Sequence, residues 1–387
     1  MDIADTTLTQ RHRDLRHRLR RVATTTIAAT AAEVDASGEF PMAAHKALVA
    51  EGLYAPHIPV EYGGLGGDTL SSCLVVEEVA RVCASSSLTP NVTRLASLPL
   101  LAVGSAEQRR RYLTEVARDG AILAFALSEQ DAGSDAAAIR TRARRTGEGY
   151  LLSGSKRWIT NAGVASYYVV AAVTDPDAGA KGISLLLVHA DDPGVTFGPD
   201  EDKLGMRGSP TRPVHFADVW VPAERLLGEE GQGLELALAA LDHSRITIAA
   251  QAVGIAQGAL DHAADYVSER HQFGRPVADF QAVRFKLADM AMHLEAARQL
   301  TYAAAGRSDA NSGDLRFFAA AAKCFASDTA MRVTVDAVQL LGGHGYTRDS
   351  PMERMLRDAK VTQIYEGTNE ILRVVMARQV LARGGGD

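Results

Sequence analysis

The spacing of apolar residues changes twice along this 387-residue chain, and the two changes limit the folds open to it. Up to about residue 120 the apolar side chains recur at helical spacing. Between 121 and 230 they stand in short β-rich runs separated by Gly, Pro, Asn and Asp, and after 231 long Ala-rich helical stretches return. The pattern predicts three packed units, helices, sheet and helices, over residues 1–120, 121–230 and 231–387.

Individual elements can be placed within these units. The middle unit contains four predicted strands: Tyr150 to Leu152, Tyr167 to Val173, Ile183 to Val188 and Val214 to Val221. The last unit contains three long predicted helices, whose lengths suit a four-helix bundle: Leu234 to His262, Gln281 to Ala305 and Leu315 to Leu341. Near the start, the basic run 11–21 is predicted to be the solvated face of a first helix.

Composition argues against several partners. A net charge of -6 leaves no excess of cations to displace counterions, so nucleic acid is not expected as a partner. No apolar run reaches the roughly 18 residues of a membrane-spanning helix. Cys73, Cys83 and Cys324 are odd in number and far apart, which argues against a disulfide framework or a metal cluster and favours a cytoplasmic location.

Familiar signatures of other enzyme classes are missing from the sequence. The glycine clusters 63–67 and 342–345 match neither the dinucleotide-binding fingerprint nor the P-loop. There is no G-x-S-x-G or H-E-x-x-H motif, and the 11 histidines are scattered singly. Hydrolase and metalloenzyme interpretations therefore lose support, and no metal site is expected.

One octapeptide, Gln363 to Glu370, combines an acidic residue with a helix start. Gly367 permits a tight turn, and Thr368 can cap a helix predicted from Asn369 to Ala382 whose first amides could hold an anion. Glu366 could therefore be a catalytic base beside an anion site. The alternative is a surface carboxylate next to an ordinary helix cap.

Five dispersed motifs decide between these interpretations. They are Phe125-Ala126-Leu127-Ser128-Glu129-Gln130-Asp131-Ala132-Gly133-Ser134-Asp135, Arg157-Trp158-Ile159-Thr160-Asn161, Arg270-His271-Gln272-Phe273-Gly274, Gln339-Leu340-Leu341-Gly342-Gly343-His344-Gly345 and Tyr365-Glu366-Gly367-Thr368. In order and spacing the chain resembles the acyl-CoA dehydrogenase family. The resemblance implies an α+β fold: an N-terminal all-α domain, a middle antiparallel β-barrel or sandwich domain, and a C-terminal four-helix bundle.

The resemblance also implies a reaction. FAD lies between the sheet domain and the bundle, and an acyl thioester is held between the flavin and the catalytic glutamate, here Glu366. Glu366 would abstract the alpha proton, its backbone amide would bind the thioester carbonyl, and Tyr365 and Gly367 would line the site. In some relatives the base lies on the first helix of the bundle, at the position that is Ser244 here, and serine cannot serve as that base.

The resemblance assigns the cofactor contacts in three groups. Phe125, Leu127 and Ser128 would line the flavin ring on one side, and Trp158 and Thr160 on the other. The pyrophosphate and adenosine half of FAD would contact two sets of residues. One set would reach across from a neighbouring subunit: Arg270, Gln272, Phe273, Phe280 and Gln281. The other would approach the adenosine side: Gln339, Gly342 and Gly343. Thr368 and the free amides after it would hold phosphate, and Glu370 would also contact the cofactor. A shared site implies an oligomer, which in this family is most often a homotetramer, a dimer of dimers.

The carrier and the acyl group are less constrained. Ser134 is expected to touch the pantetheine arm and the cofactor. Asp242 and Arg245 are expected to meet the coenzyme A side, although these two could equally be an ion pair on a helix surface. The family usually has proline where Gln130 stands, which leaves open an acyl-carrier protein in place of coenzyme A.

The acyl pocket floor corresponds to residues 86–98, which include Arg94. Arg94 could bind a distal carboxylate, but the preferred interpretation is a solvated or capping side chain, because the family's dicarboxylate-binding arginine aligns nearer Ser86. The prediction is a short or branched acyl chain.

Three functions remain open at this stage. The first is FAD-dependent dehydrogenation of an acyl thioester, with electrons passing to an electron-transfer flavoprotein. The second is a flavin oxidase or hydroxylase of the same fold, and the third a binding or assembly role without catalysis.

Overall fold

The N-terminal part of the protein is helical. The computed structural model describes residues 8–383, so the ends of the first and third predicted units lie outside it. Six helices come first: α1 (Gln10–Val22), α2 (Ala28–Ser37), α3 (Met42–Ala50), α4 (Thr69–Ala80), α5 (Ala84–Val103) and α6 (Ala106–Gln108). Short π-helical turns join α1 to α2 and continue α6 to Asp119.

The first helices are held by caps and by a polar contact between α1 and α4. Thr9 caps α1, and Asp68 caps α4 by accepting from the Ser71 amide. The His12 ring on α1 lies 2.9 Å from the Asp68 carboxylate, so the two caps are joined. His12 and Arg16 are buried, and the prediction that the basic face of α1 is wholly solvated is therefore wrong.

The middle part is one mostly antiparallel sheet. Its strands are β1 (Leu123–Ala126), β2 (Arg142–Thr146), β3 (Gly149–Thr160), β4 (Tyr167–Val173), β5 (Ile183–His189), β6 (Val195–Phe197), β7 (Thr211–Pro222) and β8 (Leu226–Leu227). The spatial order is β6-β7-β3-β2-β4-β5-β8, and β1 pairs in parallel with β4. All seven side chains of β5 are buried, which explains its unbroken apolar sequence.

The C-terminal part is a bundle of long helices. They are α7 (Gly233–Glu269), α8 (Gln281–Asp309), α9 (Leu315–Leu341), α10 (Gly343–Tyr346), α11 (Met352–Val361) and α12 (Asn369–Arg383), with a hairpin of β9 (His271–Gln272) and β10 (Arg275–Pro276) between α7 and α8. Helix α7 is central, since α4, α5, α8 and α9 all pack against it. Gly254 and Gly258 allow the close approach to α4, because a side chain at either would meet an α4 or Arg81 carbonyl oxygen within 2.2 Å.

The predicted order of helices, sheet and helices is confirmed. The strand Tyr167–Val173 has the predicted bounds, whereas the predicted helix 234–262 continues to Glu269 and the strand 214–221 begins earlier, at Thr211. We place the unit boundaries at 120/121 and 230/231, between these elements.

Two further observations concern the whole described chain. Within residues 8–383, no helix combines the length and the apolar character needed to cross a bilayer. Cys73, Cys83 and Cys324 are all buried and unpaired.

A buried ionic contact ties the N-terminal helices to the bundle. Glu77 of α4 accepts from Arg298 at 2.9 Å and from the Tyr302 hydroxyl at 2.9 Å, both on α8. All three side chains are buried. Removing Glu77 would leave the buried Arg298 with only the partly buried Glu295 as a carboxylate partner, so this contact couples the two helical units.

We expect Glu77→Ala to lower the free energy of unfolding by about 3 kcal/mol, since the buried Arg298 guanidinium keeps only Glu295 as a carboxylate partner and the buried Tyr302 hydroxyl loses its acceptor. The matched control is Glu107→Ala, which removes an exposed carboxylate paired with Arg110 and should leave the unfolding midpoint unchanged. Chemical denaturation measures both. Equal midpoints for the two variants would contradict this account.

Candidate active site

The turn between α11 and α12 holds a glutamate in a strained backbone conformation. Glu366 has a φ of 51° and Gly367 a φ of 98°. Left-handed backbone costs about 1 kcal/mol or more for a residue with a side chain, so surrounding contacts must maintain it. The Ile371 amide donates to Thr368 Oγ1 at 3.3 Å, and the cap predicted at Thr368 is therefore present.

Two buried cations hold this turn by its carbonyl oxygens. Arg245 Nε of α7 donates to Glu366 O at 3.0 Å. Lys323 Nζ of α9 donates to Gly367 O at 2.8 Å and to Asn369 Oδ1 at 3.0 Å. Burial of Lys323 lowers the pKa of its ammonium to about 8. The strained backbone is thus fixed from two helices of the bundle.

The Glu366 carboxyl group is only partly satisfied. Its Oε1 accepts from Ser244 Oγ at 3.0 Å, while Oε2 is inaccessible to solvent and has no partner within residues 8–383. Burial raises the pKa of Glu366 to about 7, against the opposing effects of the Ser244 hydrogen bond and the nearby Arg245, Lys323 and Arg94 charges. A carboxyl group of this kind can exchange a proton near neutral pH.

The Glu366 backbone amide is also free, since it donates to no acceptor of the described chain. On the other side of Glu366, the Tyr365 hydroxyl donates to Gln251 Oε1 of α7. That contact fixes the ring against α7, and burial raises the pKa of the phenol well above its ordinary value. The site thus offers a hydrogen-bond acceptor in the Glu366 carboxyl group, a free donor in the Glu366 amide and an aromatic wall in the Tyr365 ring.

Asp242 and Arg245 form the ion pair that the sequence left open, but the pair is buried and not on a surface. Asp242 accepts from Arg245 and, at 2.9 Å, from Arg316 of α9. Arg245 therefore has a fixed orientation, with its Nε directed at the carbonyl of Glu366. The surface interpretation is wrong, and the pair supports the turn directly.

The residues predicted to line the flavin ring lie together on the sheet. Phe125 and Leu127 are on β1 or directly after it, Trp158 and Thr160 are on β3, and the Arg157 amide donates to Ser128 O at 3.0 Å. This bond brings the segment after β1 against β3.

The Trp158 side chain is partly exposed to solvent on the surface of that sheet. It is 50% exposed and has a φ of 64°. The Arg157 guanidinium lies 4.4 Å from its ring centroid and donates to Gln130, the position at which proline was expected. A half-exposed indole on strained backbone suits a flat aromatic ligand.

Five of the residues predicted to contact the outer half of FAD line one groove of ≈ 580 Å³: Arg270, Gln272, Gln339, Gly342 and Gly343. Side chains added at Gly342 or Gly343 would meet nothing within 4 Å, so the glycines leave open space along the groove. Phe273 is 92% exposed and forms an edge contact with Phe280, where α8 begins at the exposed Gln281. These residues fit an anionic, aromatic ligand such as FAD.

Two of the predicted binding residues, Ser134 and Glu370, lie in local surroundings that differ from those of the groove residues. Ser134 lies in an exposed loop and has no hydrogen-bond partner within residues 8–383. The carboxylate of Glu370 accepts from its own amide and from the Thr368 side chain, and these bonds lower its pKa. Two of the donors predicted to hold phosphate, the Thr368 hydroxyl and the Glu370 amide, thus contact the Glu370 carboxylate.

Sequence reasoning missed Lys323 and Gln251, and misjudged Arg94. Lys323 stands alone between Ala320 and Ala326 in an Ala-rich stretch, and a lone cation on an apolar helix face is the signal that could have found it. Arg94 is 4% exposed, so the preferred interpretation of a solvated or capping side chain is wrong.

Comparisons with known proteins agree on one family. The family models described as acyl-CoA dehydrogenase, N-terminal, middle and C-terminal domain match residues 9–119, 124–219 and 231–381. A probable acyl-CoA dehydrogenase of Mycobacterium tuberculosis is 54% identical over 374 residues, 97% of this chain and 96% of the relative.

Solved structures agree as well. A chain from a structure of the electron transferring flavoprotein of Acidaminococcus fermentans is 44% identical with a TM-score of 0.94, over 97% of this chain and 98% of that one. Butyryl-CoA dehydrogenase from Megasphaera elsdenii is 41% identical with a TM-score of 0.94, over 97% and 99%.

The raised pKa of Glu366 predicts a pH dependence of stability. Between its ordinary pKa of 4.5 and about 7, the folded protein binds a proton that the unfolded chain has released, so stability contributed by Glu366 falls as pH rises through this window. In Glu366→Gln the side chain at this position cannot titrate. The free energy of unfolding of the variant relative to wild type should therefore increase as pH rises through the same window. Denaturation of both proteins across this pH range measures the difference.

Ser244→Ala should move the upper end of that window to higher pH, because the hydrogen bond that favours the carboxylate is lost. Glu107→Gln, at an exposed site, serves as the control. Parallel stability curves for wild type and Glu366→Gln would rule out a raised pKa.

Proposed function

The chain belongs to the acyl-CoA dehydrogenase family of oxidoreductases, and from that premise we propose that it oxidises a short or branched acyl-CoA thioester to the trans-2-enoyl thioester, with Glu366 as the base. The observation that carries the proposal is the Glu366 carboxyl group, with one oxygen bonded to Ser244 and the other buried without a partner. The second oxygen is thus an acceptor that the described residues leave unused, as a base for a substrate proton requires.

Glu366 would act on the alpha carbon of the thioester. An alpha proton is weakly acidic, so its removal needs a base of raised basicity and a donor for the charge that develops on the thioester oxygen. Burial gives Glu366 its basicity, and its free backbone amide is a donor in the adjoining position. Both groups belong to one residue, and Arg245 holds that residue by its carbonyl.

Family membership implies FAD, which when bound supplies the acceptor for the beta hydride. Phe125, Leu127, Ser128, Trp158 and Thr160 would hold the ring system on the sheet. The groove at Arg270 and Gly343 would take the adenosine side, with a neighbouring subunit of a homotetramer completing the site. We infer an electron-transfer flavoprotein as the acceptor of the electrons.

We extend the proposal to the carrier of the thioester and to the cellular location of the protein. Asp242 and Arg245 would meet the coenzyme A side, and Ser134 the pantetheine arm. Gln130 accepts a hydrogen bond from Arg157. Because this residue stands where proline was expected, acyl-carrier protein remains the alternative to coenzyme A as the carrier of the thioester. Three unpaired cysteines suit a reducing compartment, from which we infer a cytoplasmic location.

Glu366→Gln should reduce the rate of flavin bleaching by acyl-CoA thioesters about 10³-fold, because the carboxamide keeps the shape of the side chain but cannot take the alpha proton. Anaerobic mixing with butyryl-CoA and branched homologues measures it, with Glu107→Gln as the matched exposed control. Bleaching at the wild-type rate in Glu366→Gln would reject Glu366 as the base. Peroxide release without a protein acceptor would favour the oxidase alternative.

Gly343→Val should lower flavin affinity about tenfold, a loss of roughly 1.4 kcal/mol, since its side chain would fill the open groove. Flavin titration of the apoprotein measures this. Gly306→Val on α8 is the control, because a side chain there also meets nothing within 4 Å but lies outside the groove. Equal affinities in the two variants would place the adenosine half of the cofactor elsewhere.

A further inference from the structure

Lys156 of β3 is a cation inside the sheet domain. Its side chain is fully buried, whereas the other large buried residues of this strand, Tyr150, Leu152 and Ile159, are aromatic or aliphatic. A buried ammonium group is costly unless its hydrogen bonds are made, and burial lowers the pKa of Lys156 to about 8. An aliphatic side chain would fill this place without that cost, so the contacts of the ammonium group indicate its role.

The Lys156 ammonium group contacts the segment that follows β1. Its Nζ donates to Leu127 O at 2.9 Å and to Glu129 Oε1 at 2.8 Å. Glu129 also accepts from the amides of Arg140 at 2.7 Å and Thr141 at 2.9 Å, just before β2 begins. Although burial opposes the shift, the Lys156 charge and these hydrogen bonds lower the pKa of Glu129. At neutral pH the two side chains are therefore a buried ion pair.

The course of β3 is irregular directly after Lys156. Lys156 pairs with Val214 of β7 and Ile159 pairs with Arg212, so β3 has one residue more than β7 over this stretch, which is a β-bulge. In a regular strand, residues 156 and 158 would lie on the same face of the sheet. Here Lys156 is fully buried, while Trp158 is half exposed and has a φ of 64°. The bulge thus places one side chain in the interior and the other on the surface.

Both segments predicted to line the flavin ring meet at this bulge. The Lys156 side chain donates to Leu127 O, and the next amide, that of Arg157, donates to Ser128 O at 3.0 Å. Trp158 follows directly in the chain. Consecutive residues of β3 therefore bind two consecutive carbonyl oxygens on one side of the predicted ring site and carry the indole of the other side.

Glu129 fixes the same segment from its far end. Both of its carboxylate oxygens are used, by Lys156 and by the two amides before β2. Its backbone amide and carbonyl bond to those of Ala132 at 3.1 and 3.2 Å, which closes the loop that follows. Residues 127–129 are thus tied to β3 and to the start of β2 by contacts within the chain.

We propose that the buried pair of Lys156 and Glu129 positions the flavin ring, by holding residues 127–128 in place relative to the indole of Trp158. The inference rests on the proposed place of FAD on the sheet. Lys156 and Glu129 are positioning residues, because they act through Leu127 and Ser128 and not on the ring itself. A site whose supporting contacts are already made loses less free energy to ordering when its ligand binds, and so holds the ligand more tightly.

The test measures flavin release from the purified holoprotein. Lys156→Met keeps an unbranched side chain but removes the donor and the charge. After dilution, free flavin should appear about tenfold faster than from wild type, because a buried charge-assisted hydrogen bond is lost. The visible circular dichroism of the bound flavin should also change, because the two sides of the ring site move relative to each other. Glu129→Gln keeps one oxygen acceptor and should change both readouts in the same direction but less, and it serves if Lys156→Met does not fold.

Arg298→Met is the matched control for loss of stability. It also removes a buried, paired cation, but from α8 of the bundle. We expect it to lower the unfolding midpoint while flavin release and the circular dichroism of the flavin stay as in wild type. If Arg298→Met changed both readouts as much as Lys156→Met does, general destabilisation would be sufficient and the proposal would be overturned.

Trp158→Leu removes one side of the predicted ring site directly and separates two kinds of failure. If it alone changes the circular dichroism of the flavin, the ring lies on the sheet but the buried pair does not position it. If none of the three variants at 129, 156 and 158 changes either readout, the ring lies elsewhere and the proposal falls with its premise. Neither readout needs turnover, so thioesters that fail to bleach the flavin would reject the proposed dehydrogenation alone.

Discussion

The site depends on two hydrogen bonds to main-chain carbonyl oxygens, from Arg245 to Glu366 and from Lys323 to Gly367. They help to maintain the left-handed backbone of Glu366, which is unfavourable for a residue with a side chain. They also tie this short loop to the two long helices that carry the cations. The third contact, from Ser244, is made to the carboxyl group itself.

Burial then sets the chemistry of that carboxyl group. The same packing that excludes solvent from Oε2 raises the pKa of Glu366 to about 7, and the neighbouring cations limit the rise. The N-terminal helices contribute by covering α7, which presents Ser244, Arg245 and Gln251 on its inner side. The tie between Glu77 and Arg298 thus supports the site at a distance, by keeping α4 and the bundle together.

Much of this arrangement could be predicted from residues close together in the chain. The change from helical to β-rich spacing marks the sheet, the strand Tyr167–Val173 has its predicted bounds, and Thr368 caps α12. These features depend on local propensity and on periodicity, which a single sequence displays directly.

The remaining features depend on contacts across the fold. Lys323 is 44 residues from Gly367 in sequence, and Arg94 lies on α5, which packs against α7, α4 and β1. Polarity alone favoured a solvated Arg94 and left a surface ion pair open for Asp242 and Arg245, because cations and ion pairs are usually solvated. The burial of these groups follows from where the helices meet, and no pattern of neighbouring residues in the sequence indicates those contacts.

The pH dependence of the rate constant for flavin reduction by an acyl-CoA thioester tests the central claim most directly. If a buried Glu366 is the base, the rate should rise with pH and level off above an inflection near pH 7, because only the carboxylate accepts the alpha proton. A rate independent of pH across this range, or one that falls as pH rises through 7, would contradict the account.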